Sequence, residues 1–182
     1  EKKIVSKNNS VFILGGRLPL FLTGKRFDNL EGGSESEGDW HTFKSANNES
    51  IGENLKDSLI DMAEKGIKII IIYPIPPMGW DIPKILFHDY REFGIFSLKE
   101  KIINIDYKLY KDRAKESFQI LDSISHPNIY KILPHEIVCN TVLENRCVGN
   151  DTNYIYYEDD DHPSYYYSRE ILKIIVEILN KF

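Results

Sequence analysis

The strongest constraint on the fold is the run Ile67-Lys68-Ile69-Ile70-Ile71-Ile72-Tyr73, followed at once by Pro74-Ile75-Pro76-Pro77. β-Branched side chains favour extended, pleated backbone, whereas proline has no N–H to give to a sheet ladder, so this run predicts a buried strand that must stop at Pro74. Just before it, Ile51, Leu55, Leu59 and Met62 recur at helical spacing and Gly66 stands where a helix ends, which predicts an amphipathic helix leading into the strand.

The rest of the chain repeats this alternation. Val11-Phe12-Ile13-Leu14 before Gly15-Gly16 reads as a short buried strand ending in a tight turn, a layout expected at the carboxyl edge of a parallel sheet. From Thr23 to Asn48 the chain is rich in Gly, Ser, Asn, Asp and Glu, with Phe27, Trp40 and Phe43 scattered through it, and predicts a long irregular loop, either lid or tether. Phe96 to Ile124 is helix-permissive, continuous or broken, with Ile103, Tyr107, Tyr110, Ala114, Phe118 and Leu121 three or four apart. Ile129 to Val138 predicts a third strand region, Tyr154 to Tyr157 a short extended piece, and Ser168 the cap of a closing helix through Leu179. Together these predict an α/β fold, a three-layer sandwich around a mainly parallel sheet.

With 182 residues, 42% of them hydrophobic and 28% charged, the chain suits one domain with its own core. A net charge of -5 and a pI near 5.6, with no basic stripe, argue against nucleic acid as a partner. The longest apolar runs, Ile69 to Ile75 and Ile171 to Leu179, fall short of the roughly 20 residues that span a bilayer. The opening Glu-Lys-Lys and the lack of a signal-peptide pattern suggest a piece whose targeting information lies upstream. Cys139 and Cys147 flank a polar, turn-rich segment at a spacing that suits a hairpin disulfide, which would persist only in an oxidising compartment; two unrelated thiols are the alternative. No second Cys or His pair stands at zinc-ligand spacing, and no metal or cofactor is expected.

Chemistry concentrates in Glu158-Asp159-Asp160-Asp161-His162-Pro163-Ser164. A calcium loop would need ligands at alternating positions, a turn glycine and a terminal Glu, which are missing. A solvated charge run before a helix is a second reading, since carboxylates are favoured near a helix N-terminus. The third is an Asp-x-x-His pair, with His162 as general base and Asp159 fixing its tautomer and stabilising the imidazolium.

Tyr156 to Ser164, Tyr-Tyr-Glu-Asp-Asp-Asp-His-Pro-Ser, resembles the closing motif of SGNH/GDSL hydrolases, and more narrowly of the SGNH domain fused behind multi-pass membrane acyltransferases that modify bacterial surface sugars. The preceding cysteine pair, Leu14-Gly15-Gly16-Arg17 running on to Gly24, Ile75-Pro76 and Asp81-Ile82-Pro83 resemble the same domain, so the likeness covers nearly the whole chain. It implies a flavodoxin-like fold and catalytic roles for Asp159 and His162. It also implies a carbohydrate acceptor, an acyl donor (acetyl) delivered by a fused or partner membrane domain, and a place on the periplasmic face of the inner membrane.

Two departures bear on this. SGNH enzymes carry their nucleophile in a Gly-Asp-Ser motif, which is absent here: Gly38-Asp39 is followed by Trp40. The resemblance therefore places the serine, with the first strand and helix, upstream of Glu1, and residues 1–182 become a single domain truncated at its N-terminus and inactive as it stands. Where many relatives have an oxyanion-hole Asn, this chain has Gly15-Gly16-Arg17. An arginine there, or a glycine N–H, could stabilise a tetrahedral intermediate; alternatively Arg17 pairs with a nearby acid and the glycines only make a turn. Trp40 and Trp80 offer a sugar-stacking wall or ordinary packing, and His41, His88, His126 and His135 read as structural or exposed. Asp160 and Asp161 are expected to be exposed or at the helix start, without a catalytic role. A free-standing carbohydrate or lipid esterase and a non-catalytic glycan-binding module are the alternative functions.

Overall fold

The isoleucine run forms the central strand of a three-stranded parallel sheet. The computed structural model describes residues 10–35, 51–95 and 100–182; Trp40, His41, Phe43 and the far part of the expected loop lie outside them. Strand β1 (Val11–Leu14) pairs with β2 (Lys68–Ile72), and β2 with β4 (Ile129–Ile132), all in parallel with Ile13 opposite Ile70 and Ile70 opposite Tyr130. Ile69, Ile70 and Ile71 lose all contact with water, each burial contributing roughly 1.5–3 kcal/mol.

Because β2 is apolar on both faces, helices cover both. Ile69, Ile71 and Tyr73 pack with Leu59 and Ala63 of α2 (Ile51–Glu64) and Leu121 of α4 (Tyr107–Asp122). On the opposite face Ile70 meets Ile82 and Leu86 of α3 (Ile82–Phe93) and Tyr167, Ile171 and Ile175 of α6 (Tyr165–Leu179). The three-layer α/β sandwich is therefore present. Among the described residues, no helix is long and apolar enough to cross a membrane.

Several boundaries differ from expectation. The 96–124 segment is broken by β3 (Asn104–Asp106), after which the Asp106 side chain accepts from Leu109 N and caps α4. The third strand stops at Ile132, because Pro134 starts the short helix α5 (His135–Val138) instead. The closing helix is capped by Ser164 rather than Ser168. Leu18–Thr23 (α1) and α3 were not anticipated; both carry a proline in the first turn, where the lost N–H has no helical partner anyway. Finally β5 (Arg146–Val148) pairs antiparallel with β3 in a separate two-stranded ribbon.

The expected disulfide is present: Cys139 and Cys147 are bonded, S–S 1.99 Å, joining the end of α5 to β5. Closing a loop of this length contributes about 2.5 kcal/mol in the chain-entropy model.

His135, at the start of α5, is buried against the rings of Tyr107, Tyr110 and Phe118, with centroids 6.0, 5.7 and 5.5 Å away. Its Nδ1 has no hydrogen-bond partner among the described residues. Burial, aided by the charge of Lys111, depresses its pKa from 6.5 to about 4. The unfolded chain then takes up a proton below pH 6.5 that the native state refuses until about pH 4, so stability falls as the pH falls through this window. Between pH 7 and 5 the loss expected from His135 is about 2 kcal/mol. Thermal melts of wild type and His135→Phe at both pH values should differ by that increment; equal pH dependence would refute it.

Candidate active site

The acidic segment is a tight loop with a regular internal frame. Tyr157 bridges Pro163, Glu158 N donates to His162 O at 2.9 Å, and Ser164 N donates to Tyr156 O at 2.8 Å. Asp159 shapes the turn: its Oδ1 accepts from the backbone N–H of Asp161 (2.9 Å) and of His162 (2.7 Å), leaving Oδ2 to face the imidazole. The loop is moored to the chain leaving β2, where Met78 N and Gly79 N donate to Asp160 O and Ile82 N donates to Asp159 O.

Asp159 Oδ2 lies 2.8 Å from His162 Nδ1, and Asp161 Oδ1 lies 3.0 Å from the same nitrogen. Ionised carboxylates only accept, so Nδ1 carries the proton and Nε2 holds the lone pair in the neutral ring. The hydrogen bond that His162 donates to Asp159, reinforced by the charges of both acids, raises the His162 pKa above 6.5 against partial burial and Arg17. Burial pushes Asp159 upward, but N–H donation from Asp161 and His162 and the imidazole outweigh it, so its carboxyl lies below the usual range.

Asp161 is the correction here. Its side chain is 8% exposed, not a solvated charge. Burial lifts its pKa to about 6, although Arg17 and His162 both favour the anion. Arg17 Nη2 forms an ion pair with Asp161 Oδ2 at 2.5 Å and donates to Glu35 Oε1 at 2.7 Å. The ionic reading of Arg17 is thus realised, with two acids rather than one. Gly16 has φ of 150°, where a side chain would be strained, and Gly15 sits against Ile72.

Gly16, Arg17, Glu35, Asp161 and His162 line one cavity of about 230 Å³, together with Arg113 and apolar residues such as Ile72, Pro74, Ile75 and Ala114. Asp159, Asp161 and His162 offer ligand atoms within 4.8 Å of one another, near enough for one metal ion. In this arrangement Asp159 Oδ1 accepts from two backbone N–H groups, both acids contact the imidazole, and Arg17 pairs with Asp161.

Glu35 is the residue the sequence reading missed. The described part of the expected irregular loop, up to Glu35, is a clasp pinned by hydrogen bonds. Asn29 Oδ1 accepts from Glu31 N and Gly33 N at 2.9 and 2.8 Å, and its Nδ2 donates to Met78 O at 3.0 Å. Arg146 clamps Glu31 with two hydrogen bonds of 2.8 and 2.7 Å. Trp80 is half-buried against Gly32 and Gly33, a packing role. The turn residues Asn29 and Gly32-Gly33 were the available signal. Of the other histidines, His88 is exposed, and His126 Nδ1 accepts from Asn128 N at 3.1 Å.

The geometry makes a direct spectroscopic forecast. The His162 ring should titrate above pH 6.5 by NMR, and Asp159→Asn should lower that midpoint by removing the strongest partner of the imidazolium. An unchanged midpoint would dissolve the pairing.

The family model described as the SGNH domain fused to AT3 domains matches residues 2–177. No match is found among curated proteins or solved structures. With its loop geometry, its parallel sheet and a family match across almost its whole length, the chain belongs to the SGNH domain family that is fused to AT3 domains.

Proposed function

We propose that this domain transfers an acyl group, acetyl in the simplest case, to a hydroxyl of a cell-envelope carbohydrate. The site operates through a serine acyl-enzyme, with His162 as general acid-base and Asp159 as its orienting carboxylate. The observation that carries the reading is the imidazole held by its Nδ1 between Asp159 and Asp161 at the mouth of an apolar cavity. That arrangement leaves Nε2 as the basic atom.

The serine comes from a segment upstream of Glu1. In support, β1 pairs only with β2 among the described residues, which leaves room for another strand at its other edge, and Val11 and Ile13, 37% and 47% exposed, present an apolar face that further packing would cover. In the first half-reaction the serine Oγ attacks the acyl carbonyl and its proton passes to His162 Nε2. The tetrahedral intermediate collapses, and the imidazolium returns that proton to the leaving group. A sugar hydroxyl then attacks the acyl-serine, again giving its proton to Nε2, and collapse restores the serine O–H from His162. Arg17, with N–H groups of Gly15 and Gly16, stabilises the oxyanion. The apolar cavity wall receives the acyl chain. The AT3 partner domain delivers the donor on the periplasmic side, in keeping with the disulfide. Water in place of the sugar would make the same site an esterase.

The native protein including the residues upstream of Glu1 should hydrolyse p-nitrophenyl acetate, and His162→Ala should lower kcat by about 10²–10⁴-fold. Undiminished turnover would overturn the base assignment, and no turnover in the wild type would favour a glycan-binding module.

A further inference from the structure

We infer that Glu35 is a positioning residue that fixes the Arg17 guanidinium at the cavity and, through Asp161, restrains His162; this rests on the proposed role of Arg17. Glu35 is 4% exposed. A carboxylate that deep must be compensated, and it is: Oε2 accepts from Phe27 N at 2.9 Å, Oε1 from Arg17 at 2.7 Å, while its own backbone carbonyl accepts from Arg26 at 3.1 Å. The chain Glu35, Arg17, Asp161, His162 then runs unbroken through contacts of 2.7, 2.5 and 3.0 Å.

Both ends of this chain are referred to one stretch of backbone. The Glu35 clasp hangs on Met78 through Asn29, and it runs so close to the same stretch that a Cβ at Gly33 would come within 2.6 Å of the Trp80 ring and 2.7 Å of Gly79 O. The Asp159–His162 loop hangs on Met78, Gly79 and Ile82. Arg17 is thus held by carboxylates from two loops whose separation is set by a common strut. Both acids meet the same nitrogen, Nη2, whose direction is set by the rigid guanidinium plane, whereas a lysine ammonium turns freely on a flexible stem. A cation held in advance loses no rotamer freedom when negative charge develops in the transition state. A purely structural staple would protect stability but would not act on turnover through Arg17.

The test uses the native protein with its upstream residues and p-nitrophenyl acetate as substrate. Glu35→Gln keeps an acceptor for Phe27 N and removes the charge. It should lower kcat by about 10²-fold with KM within about twofold, since the interaction matters in the transition state. On an Arg17→Ala background the same change should cost no further turnover. An unchanged kcat for Glu35→Gln, or an equal loss with and without Arg17, overturns the inference. Should Glu35→Gln not fold, Arg17→Lys with Glu35 intact should show the comparable loss, and full activity there overturns it equally. If His162→Ala retains turnover, the proposed reaction falls and this role with it; if His162→Ala is dead while Glu35→Gln is fully active, only the role of Glu35 falls.

Discussion

Backbone that leaves β2 cannot continue a ladder, and the whole site is arranged around how that backbone is satisfied instead. Pro74, Pro76 and Pro77 remove three donors, but the carbonyls of Pro74 and Pro76 remain and are buried. Two interior tyrosines answer them: Tyr110 Oη donates to Pro74 O and Tyr157 Oη to Pro76 O, each at 2.8 Å. A buried carbonyl without a donor costs about 1–3 kcal/mol, so these hydroxyls hold the segment where water cannot. Tyr157 directly precedes the acidic loop and Tyr110 lies on α4, so the same bonds tie a helix and the catalytic-loop candidate to one end of the sheet. Met78 to Ile82 then takes up the backbone of Asp159 and Asp160, and Met78 O receives Asn29.

On that support, two neighbouring acids acquire opposite character. Asp159 receives two backbone N–H bonds and an imidazole, all of which favour the anion. Asp161, nearly sealed from water, is driven the other way, to about 6, and remains an anion near neutral pH only with the help of Arg17 and His162. Both contact His162 Nδ1. The difference matters for a base: a firm anion raises imidazole basicity and holds its orientation, whereas an acid that titrates near neutrality contributes only while it is charged. Arg17 moderates the pair by lowering the His162 pKa while favouring ionised Asp161.

How much of this was legible varies with the range of the cause. The isoleucine run, Gly66 and the 51–62 periodicity state their elements locally, and the structure follows them. Asp159 and His162 are three apart, so one turn brings them together and the motif itself encodes their contact. Cys139 and Cys147 are similarly close. Helix α3 was missed because Gly79, Pro83 and a charged mixture obscure its period, although Asp81 is a capping residue that accepts from Lys84 N. Arg17 and Glu35 are 18 residues apart, and the burial of Asp161 depends on Arg17 and on the chain after β2. No local pattern distinguishes Asp161 from the exposed acid it was expected to be. The fold decides that difference by packing elements that are remote in sequence.

The exposure of His162 and, among the described residues, the unpaired second edge of β1 meet at the same end of the sheet. His162 is 64% exposed at its side chain, which is wet for the proposed base, because water screens each charge of the site. All three strands of the main sheet run in the same direction, so the turn after β1 at Gly15–Arg17 and the turn after β2 at Pro74–Pro77 emerge on the same edge, where the cavity lies. A further strand laid parallel to β1 would shelter its open edge and would deliver the residues following it to that edge, since parallel strands share one carboxyl end. A nucleophile at the end of such a strand would therefore emerge at the cavity, and the same backbone would displace water from beside it. In that geometry, completing the sheet and drying the base are one structural event.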